Sequence, residues 1–157
     1  MKYDINYSCG HMATVQLYGS EQERERKIEW LKTQTCPECQ KAERQKEYAA
    51  ENTQARARSN EMGLPKITGT DKQTAWAESI RIKCLDAIDT ALKDDADRFS
   101  RLSDEDKKQY RQAHEAGKEK MNLFSSWLLS HVEAKWWIEN RDTPMKQMMK
   151  TFQAYSR

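Results

Sequence analysis

Two short segments carry the side chains best suited to chemistry. Cys9-Gly10-His11 offers a thiol and an imidazole on one tight turn, and Cys36-Pro37-Glu38-Cys39 offers two thiols three positions apart. Three thiolates and one imidazole in two close pairs are the donors that tetrahedral zinc takes, at about 2.3 Å for sulfur and about 2.0–2.1 Å for nitrogen. Pairing the donors has a mechanical basis: two ligands on one turn reach the same ion with little further ordering of the chain. Gly10 lets the first turn bend sharply. Pro37 and a helix start after Cys36 aim backbone N–H groups at the thiolates. Four protein ligands leave no coordination position for water, so the expected role of Cys9, His11, Cys36 and Cys39 is structural. The C-x-H turn is tighter than the usual C-x-x-C knuckle. A redox dithiol at Cys36 and Cys39 is the competing reading, but that motif belongs beside a βαβ pattern, and none is visible. The remaining alternative, unrelated core thiols, conflicts with the polar segments that flank the pair.

Little else points to reaction chemistry. Cys84 sits on an apolar helical stripe and reads as a small buried hydrophobe. His114 and His131 lie 17 positions apart on or near a buried stripe, with no partner apparent from sequence. The chain lacks G-x-S-x-G, a glycine-rich loop and H-E-x-x-H. Its acidic clusters, Asp94-Asp95-Ala96-Asp97 and Asp104-Glu105-Asp106, fit helix ends on the surface. The expectation is a non-enzyme; a hydrolase or nuclease would lack a motif.

The elements that must hold the metal donors are short. Val15 and Leu17 alternate with Thr14 and Gln16 in a half-exposed strand that Gly19 ends. Ser20 with Glu23 forms a capping-box pattern that starts a helix at Glu21, whose apolar side holds Ile28, Leu31 and Trp30. A second helix begins at or just after Cys36-Pro37, and from Gln40 to Glu61 it is polar nearly all round, so it should bridge solvent or be partly disordered. Gly63, Pro65 and Gly69 mark a loop. Thr70 and Gln73 form a second capping box, followed by the stripe Trp76, Ile80, Cys84, Ala87, Ile88 and Ala91. A fourth helix starts after Ser103 and is expected to run to about Asn140, apolar on most sides beyond Met121. Thr143-Pro144 starts a last amphipathic helix through Met145, Met148, Met149, Phe152 and Tyr155.

These elements predict a mainly α chain: a small zinc-ribbon or treble-clef-like module of hairpin and helix, joined to a helical bundle. The expected divisions are 1–40 for the zinc-binding module, 41–63 for a polar connecting helix and 64–157 for the bundle. At 157 residues the chain is the size of one ordinary domain. Leu, Ile, Val and Phe number only 21, below the share of about 20% that marks disorder-prone chains. Five Trp, seven Met and a net charge of only +2 oppose disorder. No apolar run approaches a membrane span, and the N-terminus lacks a signal-peptide core, so the expected location is cytoplasmic, where cysteines serve as ligands rather than disulfides. Lys and Arg total 27 against 25 Asp and Glu, interleaved along the chain, which gives no basic run for a polyanion.

Binding is the favoured activity. On a continuous fourth helix, Trp137 falls far from the stripe of Tyr110, Met121, Phe124 and Leu128, and Leu85 falls off the Trp76–Ile80–Cys84 stripe. Large apolar groups outside a core stripe need a covering helix or a partner. The Thr143–Tyr155 helix is the simpler cover; the sharper expectation is a partner surface joining Trp137 and Arg141 to Arg81 and Leu85.

Three blocks carry a family resemblance. They are Cys9-Gly10-His11 through Leu17-Tyr18-Gly19 and Glu23–Leu31 to Cys36-Pro37-Glu38-Cys39; Leu64-Pro65-Lys66-Ile67-Thr68-Gly69-Thr70-Asp71-Lys72-Gln73 with Trp76-Ala77 and Ile80-Arg81; and Trp136-Trp137-Ile138-Glu139-Asn140-Arg141. Together they resemble a group of small zinc-ribbon proteins seen largely in Gram-positive bacteria and their mobile elements. The resemblance implies that ribbon and helices form one architecture and that the chain has a plasmid or phage origin. It brings no established activity. The expected function is a non-enzymatic zinc-containing interaction protein that binds, and in one use inhibits, a host protein or nucleoprotein complex such as a defence nuclease. The second reading is a nucleic-acid-binding zinc protein using Arg24, Arg26, Lys27, Arg44, Lys46, Arg56 and Arg58, weakened by the Glu residues between them.

Overall fold

The computed structural model describes residues 1–155. Strands β1 (Lys2–Asn6) and β2 (Met12–Gln16) form an antiparallel hairpin with Ile5 opposite Ala13 and Tyr3 opposite Val15. Four long or medium helices follow: α1 (Glu21–Thr33), α2 (Pro37–Glu61), α3 (Asp71–Ser100) and α4 (Asp104–Leu129). The short α5 (Ala134–Glu139) and α6 (Met145–Tyr155) complete the chain. The architecture is mainly helical with a small N-terminal hairpin module, as the sequence predicts. It divides into two compact units, Met1–Ala50 and Glu51–Arg157, with the boundary inside α2.

The N-terminal unit has a small core. Ile5, Tyr7 and Cys36 are buried, and Ile28, Leu31 and Val15 pack around them. α1 contributes no fully buried residue. Its start is fixed by Glu23, whose carboxylate accepts the Ser20 backbone N–H at 2.7 Å.

In the C-terminal unit, Trp137, Phe124, Leu128, Ala77 and Ile88 lie at the centre of an apolar cluster that Met148 and Phe152 of α6 also join. Thr70 caps α3, its hydroxyl accepting from Gln73 N–H while the Gln73 side chain accepts from Thr70 N–H. Gly69, at φ +149°, lets the preceding loop approach α5: a Cβ there would stand 2.9 Å from that of Ala134.

Three sequence expectations are corrected here. The fourth helix does not run to Asn140. It stops at Leu129, where the Trp127 carbonyl accepts from the Ser130 hydroxyl at 2.7 Å and from His131 Nδ1–H at 2.9 Å. The freed backbone then pairs with the 64–69 loop: Thr68 N–H donates to Val132 O at 2.7 Å, and Ala134 N–H donates to Thr68 O at 2.9 Å.

Nor is the second half of α2 polar all round. Ala55 and Ser59 are buried, and Ala55 packs with Ile82 and Leu85 of α3. Ser79 donates to Asn52 at 2.7 Å, and ion pairs Lys83–Glu51 and Arg58–Asp86 flank that seam at 2.9 and 2.6 Å.

The third correction concerns the partner surface. Trp137 and Arg81 are 0% exposed and Leu85 is 5% exposed, so a docking face built on them does not exist. The break at Ser130 resets the phase of the helical wheel and turns Trp137 inward, where its indole N–H donates to His131 O at 2.7 Å. α2 covers Leu85. Arg81 reaches inward to the Pro65 carbonyl at 2.6 Å and the Ser59 hydroxyl at 2.5 Å, tying loop, α2 and α3 together.

Candidate metal centre

The hairpin and the start of α2 bring the four predicted donors together. Tyr7 N–H donates to His11 O and Gly10 N–H donates to Tyr7 O, closing the first turn with Gly10 at φ +80°. A Cβ on this backbone would be strained, which is why the middle position of Cys-Gly-His is glycine. Ser8 N–H donates to Gln34 O at 3.0 Å and so joins this turn to the segment leading into Cys36. Pro37 opens α2, where its missing N–H has no helical partner to lose.

The ligand atoms of Cys9, His11, Cys36 and Cys39 all lie within 4.8 Å of one another. Cys39 Sγ and His11 Nδ1 are 3.2 Å apart. Tetrahedral donors at zinc distances would lie about 3.5–3.8 Å apart, so an ion requires only slight adjustment of side chains already converged. Backbone amides support the sulfurs: Cys36 N–H donates to Cys9 Sγ at 3.3 Å, and Cys39 N–H donates to Cys36 Sγ at 3.4 Å. Cys36 is buried and the other three are not, which leaves a route from solvent.

The electrostatics of the cluster are unequal. The Cys9 thiol is pushed down to about 6, first by the Cys36 backbone N–H and then by His11. The Cys39 thiol is pushed up to about 11, chiefly by the Cys36 side chain, with burial adding to it. Crowded thiols therefore resist holding several negative charges on their own. A divalent cation removes that conflict by neutralising the thiolates it draws together. The donor set fits a metal ion.

Residues the sequence did not mark as exposed anchors emerge in both units. Trp30 is 50% exposed with Lys27 Nζ 3.9 Å above its ring; it was expected on the apolar side of α1. Lys27 and Trp30 stand three apart on the helix, a spacing that could have suggested the contact. Trp76, expected in the buried stripe, is 45% exposed, and the Arg141 guanidinium lies 5.3 Å from its ring centre. Of the four proposed partner residues only Arg141 is exposed. His114 also has a carboxylate partner after all, Asp95 at 2.7 Å, set by how α3 and α4 align. Cys84 is half-buried against the Trp137 cluster, and burial pushes its thiol up, in keeping with an inert core position.

No helix among the described residues is long and apolar enough to cross a membrane. No protein-family model, curated protein or solved structure matches this chain.

Proposed function

We propose that the chain is a non-enzymatic interaction protein whose N-terminal unit is held by one structural zinc ion and which binds a protein or nucleoprotein partner in the cytoplasm. Supporting the zinc assignment is the donor chemistry: three thiols and one imidazole are soft to borderline ligands suited to zinc rather than calcium or magnesium. Cys9, His11, Cys36 and Cys39 would complete its coordination, leaving no open position for catalysis.

The observation that carries the interaction reading is the exposed Trp76–Arg141 pair. Trp and Arg dominate the energetics of protein interfaces, and a half-exposed indole under a guanidinium offers both in one place. A host protein or a nucleoprotein complex such as a defence nuclease is the class of target, on the strength of the resemblance to mobile-element proteins. Nucleic acid alone is the weaker reading. Arg24 is occupied by the Tyr3 hydroxyl and the Gly19 carbonyl, and Lys27 lies on Trp30, which engages two of the cations that reading relies on.

The test is affinity capture from a host lysate with the wild-type chain, Trp76→Ala and Arg141→Ala, followed by reconstitution with the purified partner. A specific partner should be retained by wild type and weakened in both variants, with zinc content and melting temperature unchanged. Equal retention by all three chains would sink this surface. Oligonucleotide binding that weakens steeply with salt would favour the nucleic-acid reading.

A further inference from the structure

Beside the Trp137 cluster, the seam between α3 and α4 opens into a half-open cleft of about 570 Å³. That volume lies in the range of small-molecule pockets, roughly 300–1,000 Å³. Leu92, Phe99, Tyr110 and Met121 give it apolar walls. Gly117 keeps it open, since a Cβ there would meet nothing within 4 Å.

The polar groups in this cleft are not evenly matched in charge. His114 is stacked on Phe99 at 4.1 Å, and its Nδ1 lies 2.7 Å from the Asp95 carboxylate, so the one lining carboxylate is already engaged. Arg98 and Lys118 also line the cleft, and neither has an ion-pair partner among the described residues. Arg98 Nε–H donates to the Asp94 backbone carbonyl at 3.3 Å, a contact that leaves the guanidinium charge unpaired. Two cations against one carboxylate leave a net positive charge beside an apolar floor, complementary to a molecule with one negative end and an apolar body.

We infer that this cleft binds a small organic monocarboxylate, its apolar body on Phe99, Leu92 and Met121 and its carboxylate at Arg98, with Lys118 adding to the field. A planar guanidinium matches a carboxylate bidentately, whereas Lys118 acts as a point charge, so Arg98 is the anchor. This site lies wholly in the C-terminal unit and depends neither on the metal nor on the Trp76–Arg141 surface.

Titration of the full metal-loaded chain with decanoate, followed by calorimetry and amide NMR, tests the assignment. Decanoate should bind one to one and shift the amides around Ala113 and Gly117. Decanol should bind at least about tenfold more weakly, because a charge-assisted hydrogen bond is worth that much or more. Arg98→Gln should lose about tenfold or more, and Lys118→Gln less. Gly117→Leu fills the cleft while replacing a poor helix former with a good one, so it should abolish binding without lowering the melting temperature. The assignment is overturned if decanoate fails to bind, if decanol binds equally well, or if Gly117→Leu or Arg98→Gln keeps wild-type affinity. It is also overturned if the full chain is a dimer that Gly117→Leu makes monomeric, because the cleft would then be a contact between two copies.

Discussion

The two units of this chain solve the same problem by different means. Glu51–Arg157 has a cluster of nine buried residues, including Trp137, Phe124 and Leu128, each 0% exposed. The cluster in Met1–Ala50 has three, and one of those is Cys36 of the Cys/His group. Burial of large apolar side chains contributes roughly 1.5–3 kcal/mol each before conformational entropy is counted, so three such residues cannot order a hairpin and a helix on their own. In their place this unit has four converged side chains that fit a metal ion. The contrast teaches where each unit should be fragile: the first to loss of ligands, the second to loss of volume.

The largest expected effect tests the first half of that contrast. Cys36→Ser with Cys39→Ser should abolish metal binding and unfold the N-terminal unit, while the C-terminal unit keeps its structure. Elemental analysis together with amide NMR of the two regions checks this, and retention of a folded hairpin in the metal-free variant would break the contrast. Strong chelation of the wild-type chain should reproduce the same selective loss.

Trp137→Ala tests the second half. Removing a fully buried indole should cost about 3–5 kcal/mol in urea unfolding of the C-terminal unit, with metal content unchanged. Arg81→Met comes next, at about 3 kcal/mol, because it strips the Ser59 hydroxyl and Pro65 carbonyl of their donor and leaves the Glu78 carboxylate without its cation. Adding Glu78→Gln should recover part of that loss. The same unfolding measurement on both variants sharpens the point, since a double mutant no better than the single one would show that Glu78 is not the cost.

Smaller effects follow at the surface. Thr70→Ala removes the α3 cap and should cost about 1 kcal/mol. Trp76→Ala should change stability by less than about 0.5 kcal/mol, as for other exposed sites away from buried networks. A large loss there would mean that Trp76 is structural and would remove the anchor from the interaction surface.

What the sequence determined by itself was local. Ligand type and spacing marked Cys9, His11, Cys36 and Cys39, because two donors on each of two tight turns need only one long-range contact to converge. Capping pairs Ser20–Glu23 and Thr70–Gln73 located two helix starts, because a cap is made within four residues. Tertiary structure decided the rest. The α2–α3 seam is made of Ala55, Ser59, Asn52 and ion pairs, and small or paired polar groups leave no hydrophobic periodicity to read. The break after Leu129 depends on Thr68 lending its backbone donor and acceptor from 64 positions before Val132, which no helical wheel can register. That break turned Trp137 inward, into the cluster that Met148 and Phe152 of the last helix also close, the simpler of the two sequence readings. The exposed pair Trp76–Arg141 likewise unites residues from distant segments, because a chain with few aliphatic residues positions its aromatic side chains by long-range packing rather than by local pattern.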